Sequence, residues 1–152
     1  MNCIFCESEN HAKSIEHIVP ESLGNKRYVM ARGAVCDECN NSFSAFESKA
    51  LSNSIFLMER ARLGVQTKKG KNAKGKVAGL EIEGNPLFEK QKITVKGLSE
   101  EDLVNFDPLT GTGQLLVQSF DKSEVATSKL LLKMALESLY TSRKNIFKKS
   151  KN

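Results

Sequence analysis

Hydrophobic residues in the first third of the chain come in short bursts divided by polar turns. Ile15, Val19 and Val29 have the strand-forming character of a hairpin, and Pro20, Gly24 and Asn25 punctuate the loop between them. Two short antiparallel strands joined by a long turn are predicted. After Cys39 the period changes: Phe43, Phe46 and Ala50 recur at three and four residues, which marks one apolar face of a helix. Ser52 to Arg62 reads as a second helix with Ile55, Met58 and Ala61 inward, stopping at Gly64 as its C-cap.

Beyond Gly64 the pattern alternates. The segments "LEIEG" and "KQKITVKG" predict a β-hairpin and a further strand. Ser99 and Asp102 have the spacing of a capping box for a short helix, "DPLTGTG" is rich in turn residues, and "QLLVQSF" reads as a strand. Ser123 caps a final helix whose apolar face comprises Val125, Leu132, Ala135, Leu136 and Leu139, expected to pack on the small sheet. The fold class is therefore α+β. Residues 1–63 form a metal-stapled module, 64–142 an α+β appendage, and 143–152 a basic tail.

A chain of 152 residues with 39% hydrophobic and 27% charged residues fits one or two globular domains. No apolar run reaches the roughly 20 residues of a membrane span, and the first residues do not read as a signal segment, so a cytoplasmic protein without membrane contact is expected. No internal repeat, P-loop or dinucleotide fingerprint is visible.

The net charge of +5 is unevenly spread. Lys68, Lys69, Lys71, Lys74 and Lys76 form one acid-free cluster, and Arg143, Lys144, Lys148, Lys149 and Lys151 form another, leaving 13 basic against 18 acidic residues elsewhere. Segregated charge of this kind suits a polyanion, and lysines among glycines can follow a phosphate backbone without reading bases.

All four cysteines fall in two CxxC pairs, Cys3/Cys6 and Cys36/Cys39. Each CxxC turn sets two thiolates on one side of a tight loop, and two such knuckles close a tetrahedron around Zn²⁺ with no open position. Structural zinc is the expected reading. A disulfide pairing needs an oxidising compartment, and a redox CxxC leaves the second pair unexplained.

The sequence "CIFC…EHIVPESLGN…VCDECNNSF" resembles the HNH endonucleases, whose treble-clef or ββα-metal module carries a CxxC knuckle on either side of a catalytic hairpin. The resemblance covers about residues 1 to 51. It rests on both CxxC pairs, an acid directly before a His, an apolar pair and Pro after it, a Gly loop, and Asn directly after the last Cys. It implies that His17 is the general base, that Glu16 ligates a catalytic metal, and that Asn40 completes that site. It also places Asn25 where a loop Asn often steadies the hairpin.

The chemistry is coherent on its own terms. Hydrolysis of a phosphodiester builds negative charge on the phosphoryl and leaving oxygens, which Mg²⁺ or Mn²⁺ neutralises. Glu16 and Asn40 offer hard oxygen ligands, and a neutral imidazole at His17 can take a proton from water near neutral pH. Neighbours on a regular strand face opposite ways, so a shared metal at Glu16 and His17 requires a bulge or strand end. Lys26 and Arg27 sit in the loop after the catalytic strand, within reach of phosphate. Glu47, two turns beyond Asn40, is either a further ligand or a solvated acid, and His11 is a surface residue. The expected partner is DNA, with RNA the other candidate. One HNH site makes one nick, so double-strand cleavage calls for a homodimer, a larger defence or phage assembly, or two events. The competing reading is a zinc-ribbon or treble-clef module that binds nucleic acid without cutting it.

Overall fold

The computed structural model describes residues 2–9, 11–67, 69–116 and 124–143. It is α+β, as the sequence predicts, with three helices and small antiparallel sheets. Two compact units divide the chain: Met1–Leu51 with Ser123–Asn152, and Ser52–Lys122. This division differs from the boundaries at residues 63 and 142 expected from the sequence. The last helix belongs with the N-terminal segment, not with the appendage.

The first unit begins with a knuckle in which Cys3 N–H donates to Ser8 O and Glu7 N–H to Cys3 O, both at 2.9 Å. Its hairpin is minimal. His17 pairs with Val29 in a single antiparallel bridge, flanked by Met30 N–H to Glu16 O at 2.8 Å and Ile18 N–H to Tyr28 O at 3.1 Å. The predicted strands shrink to this one bridge because the Glu21–Leu23 helical turn and Gly24, at φ 87°, consume the chain between them. Helix α1 then spans Asp37–Leu51. Cys3, Ile18, Met30, Ala34, Val35 and Cys36 form the core, with Phe5, Phe43 and Tyr140 packed against it. Phe5 and Phe43 meet edge to face with centroids 4.7 Å apart, a favoured aromatic geometry.

Helix α3, Glu124–Ser142, packs on α1 rather than on a sheet. Its buried positions are Ala126, Leu130, Lys133 and Glu137, whereas Val125, Leu132 and Leu139 of the predicted inner face are exposed. Two stripes of α3 have helical spacing. The inner one wins because it carries the partners for buried acids on the hairpin and α1. Ser123, the predicted cap, lies outside the described residues.

In the second unit α2, Ser54–Arg62, is capped by Asn53, whose side chain accepts from Ile55 N–H. It packs on a sheet ordered β1-β2-β3 from Lys74–Val77, Leu80–Gly84 and Ile93–Lys96. Leu57, Ala61, Ala73, Val77 and Ile82 make the core. Strand β2 alternates, with Leu80, Ile82 and Gly84 buried, as a half-covered strand should. The Ser99–Asp102 capping box is present, but β4, Leu103–Asp107, follows it where the sequence reading expected no strand, and pairs with β5, Thr112–Leu115. The predicted strand "QLLVQSF" ends at Leu115, and residues 117–120 of it lie outside the described residues.

Gly64 closes α2 at φ +65°, and a Cβ there would sit 2.3 Å from the Phe88 carbonyl oxygen. Backbone conformation and lack of space both demand glycine. Gly64→Ala should therefore cost about 2 kcal/mol or more of stability. Urea denaturation of the two proteins checks this, and an unchanged midpoint would show that the Phe88 turn moves aside freely.

Candidate active site and zinc knuckle

The four Sγ atoms of Cys3, Cys6, Cys36 and Cys39 all lie within 4.8 Å of one another, and Cys6 Sγ is 3.7 Å from Cys36 Sγ. A tetrahedron with Zn–S bonds of about 2.3 Å has edges of roughly 3.8 Å, so the cluster fits a structural zinc. Backbone N–H groups support the sulfurs, from Cys36 to Cys3 Sγ at 3.4 Å and from Cys39 to Cys36 Sγ at 3.3 Å. The backbone and hydroxyl of Ser8 hold the Cys6 thiol down at about 6, while burial and the neighbouring Cys36 sulfur push Cys39 well up. Thiols crowded this closely cannot all ionise without a cation among them, and a bound metal reverses that balance.

Asp37, first in α1, ties the knuckle to the segment leading into the His17 bridge. It accepts from the backbone N–H of Lys13 at 3.1 Å and of Ser14 at 3.0 Å, and from the Ser14 hydroxyl. Those bonds, the hydroxyl foremost, hold its carboxyl down at about 2. Asn40, one turn on, donates from its side-chain nitrogen to Ser14 Oγ at 3.1 Å, leaving its oxygen as acceptor.

The loop is tied by Asn25. Its buried side chain donates to Val19 O at 2.7 Å and Tyr28 O at 2.8 Å, and accepts from the N–H groups of Arg27 at 3.0 Å and Tyr28 at 2.8 Å. This residue closes the hairpin whose one bridge contains His17. Lys26 and Arg27, beside it, are exposed.

Glu16 and His17 separate. Glu16 and Ile18 are buried and His17 between them is half-buried, so the neighbours face opposite ways. Of the expected bulge or strand end, the chain has the latter: pairing is confined to the bridge at His17, and Ile18 and Val19 are bends. Glu16 Oε1 instead lies 2.5 Å from Lys133 Nζ, and the same ammonium reaches Glu47 Oε1 and Glu137 Oε2 at 3.1 Å each. Glu47 stands two turns from Asn40 on α1, roughly 10 Å along the axis. Glu16 thus gathers with Glu47 on the lysine, while Asn40 bonds Ser14. The expected ligand pair of Glu16 and Asn40 thus has its two side chains on different partners, and Glu47 is ion-paired. A cation already occupies the Glu16 carboxylate. Among the described residues, the four cysteines are the one cluster of three or more His, Cys, Asp or Glu side chains close enough to share an ion.

Residues 3–56 match the family model described as HNH endonuclease. No curated protein and no solved structure matches the chain. The HNH segment contains both knuckles, the His17 hairpin and α1, and it points to nuclease activity on nucleic acid in general. Among the described residues no helix is long and apolar enough to cross a membrane.

Lys133 and Glu137 were absent from the sequence reading. The signal available was an i, i+4 Lys–Glu pair inside the apolar run "LLLKMALE". Of the basic cluster, Lys74 is engaged with Glu81 at 3.0 Å and Glu83 at 3.6 Å across the sheet, and Lys96 also reaches both acids, so this part of the finger is locally neutralised. Lys69, Lys71 and Lys76 are exposed, and Lys68 lies outside the described residues. His11 is exposed, as expected.

Two outcomes are expected. The chain should carry one zinc, and Cys36→Ser should lose both the metal and the dispersed amide spectrum of the hairpin, checked by elemental analysis and NMR. Burial, set against Lys133 and reinforced by Glu16 and Glu47, pushes the Glu137 carboxyl up to about 8. The folded chain then holds this proton more tightly than the unfolded one, so the group erodes stability as pH rises from about 4.5 to about 8. Glu137→Gln, neutral throughout, should flatten that fall in a pH series of denaturation midpoints. A slope identical to wild type would mean that Glu137 is ionised in the fold.

Proposed function

We propose that this chain is a metal-dependent endonuclease that hydrolyses phosphodiester bonds in DNA, with His17 as the general base that takes a proton from the attacking water. The observation that carries this reading is the placement of His17. It is the half-buried member of the bridge in the HNH-matched segment; its backbone carbonyl accepts from Lys133 of α3, and its chain neighbours Ser14 and Tyr28 are tied by Asp37 and Asn25. A backbone held in this way supports the reading of a positioned imidazole, which proton abstraction requires.

A divalent cation such as Mg²⁺ or Mn²⁺, when bound, supplies charge neutralisation at the phosphoryl group. The Asn40 amide oxygen, whose nitrogen is turned to Ser14, is the protein group that would help hold it, with Glu16 engaged by Lys133 and His17 kept as the base. Lys26 and Arg27 on the hairpin loop, together with Lys69, Lys71 and Lys76, are exposed cations suited to backbone phosphate. Lys68 completes that set by sequence, and Lys74 contributes less because of its acidic partners. RNA satisfies the same phosphate chemistry, so both polymers belong in the assay.

One observation favours the second reading, a non-cutting zinc module that binds nucleic acid: the acid beside His17 is sequestered by Lys133. Metal dependence separates the two. Wild type should convert supercoiled plasmid to nicked product with Mg²⁺ or Mn²⁺ and not with EDTA, and zinc-loaded His17→Ala should cut at least about 100-fold more slowly, the scale of a lost general base. If zinc-loaded wild type binds DNA and RNA but cuts neither under any divalent metal, the binding module is the correct reading.

A further inference from the structure

The carbonyl of His17 is unusual in what it meets. In an antiparallel bridge flanked by the Glu16–Met30 and Ile18–Tyr28 bonds, His17 and Val29 form a non-hydrogen-bonded pair, so the N–H and C=O of His17 point away from the partner strand. Among the described residues no third strand pairs with this hairpin. Lys133 Nζ lies 3.3 Å from that carbonyl oxygen and donates at the same time to the Glu16 carboxylate.

We propose that Lys133 and Glu16 form a clamp that positions His17, and that Glu16 is a positioning residue rather than a metal ligand. The inference rests on the reading of His17 as the base, and it adds a residue of α3 to a site otherwise built within residues 3–56. Lys133 is 3% exposed, Glu16 7% and Glu137 0%, so water does not screen the group. Burial works against the lysine's charge, yet Glu16, Glu137 and Glu47 outweigh it and keep the amine charged. The Phe43 ring, its centroid 5.6 Å from Nζ, closes another side. With Nζ fixed by three carboxylates and a ring, the two bonds it makes to consecutive residues fix the backbone at the strand's midpoint. A rotation of that peptide would swing the imidazole and break both bonds together.

The test uses the full chain as wild type, Lys133→Met, Glu16→Gln, and the double variant Glu16→Gln with Lys133→Met. Lys133→Met alone strands three acids and risks unfolding, whereas in the double variant the Glu16 charge goes with the cation and only Glu137 and the partly exposed Glu47 lose their partner. Zinc content establishes that each fold survives. Three readouts follow: DNA affinity, the single-turnover cleavage rate across a Mg²⁺ titration, and the ring signals of the two histidines by NMR.

The clamp predicts that the zinc-loaded double variant binds DNA within about twofold of wild type but cuts about 10- to 100-fold more slowly, as expected when a reacting group is misplaced by a fraction of an ångström to one ångström. His17 ring signals should shift or split while those of His11 stay in place. Glu16→Gln should leave the Mg²⁺ concentration for half-maximal cutting unchanged. A double variant with wild-type rate and unmoved His17 signals overturns the clamp. So does a Glu16→Gln protein that needs at least about tenfold more Mg²⁺, the scale on which losing a residue that supports a metal site weakens binding, because it would make Glu16 a ligand. If wild type cuts nothing, the NMR arm still decides. Moved His17 signals then uphold the clamp while the nuclease reading falls, and unmoved signals overturn it.

Discussion

The first unit depends on drawing two cysteine knuckles onto one point. The cluster around the hairpin comprises Cys3, Ile18, Met30, Ala34, Val35 and Cys36, and two of those six are cysteines of the knuckles. So small a cluster is a weak offset to the entropy of ordering a hairpin with a single bridge. A tetrahedral zinc supplies the missing constraint, because its binding free energy becomes folding free energy when the site exists only in the folded chain. The rest follows in order. Cys36 directly precedes α1 and Cys39 lies in its first turn, Asp37 between them hands the constraint to Lys13 and Ser14, and two residues further on lies Glu16, next to His17.

A second constraint is electrostatic. Three glutamates converge on one ammonium in a region nearly closed to water. A buried ion pair is poor evidence for stability, since the cost of desolvation rivals the attraction gained. What it fixes is arrangement. Burial pushes the Glu137 carboxyl up to about 8 against the pull of Lys133, which makes it the member of the group readiest to take a proton and so to lessen the excess of negative charge facing the ammonium. The group then behaves as a polar joint among the hairpin, α1 and α3 whose members accept few alternative partners.

Elements governed by local rules were legible in the sequence. The knuckles, α1 from Phe43 and Phe46, α2 with its stop near Gly64, the β1-β2-β3 meander and the Ser99–Asp102 box each follow from spacing or turn chemistry within a dozen residues. The inner face of α3 was not legible. Apolar periodicity treats Lys133 and Glu137 as solvent-facing, and only the position of Glu16, more than a hundred residues earlier in the chain, makes that stripe the buried one. Strand β4 escaped for another reason. Leu103–Asp107 is almost wholly exposed, and the irregularity at Asn105, φ 54°, breaks the alternation that marks a strand. In the site, the pairing of Glu16 with Lys133 was not legible, because composition cannot tell which face of a strand an acid occupies or what a distant helix brings to it.

The family-matched segment is therefore an incomplete physical object. Within residues 3–56, Glu16 and Glu47 approach the same point with no cation supplied by that segment, and at these distances their repulsion in a buried environment would oppose the packing of the hairpin on α1. The neutralising charge arrives from α3, after a second unit of Ser52–Lys122 has been interposed in the chain. Closure entropy rises only as the logarithm of loop length, so each doubling of the interposed segment costs about 0.6 kcal/mol. That is small beside the penalty of leaving a buried carboxylate without its partner, on the order of 3–5 kcal/mol. An HNH module of this kind can thus accept a folded insertion between α1 and α3 at little cost. It cannot dispense with the lysine that lies on the far side of that insertion.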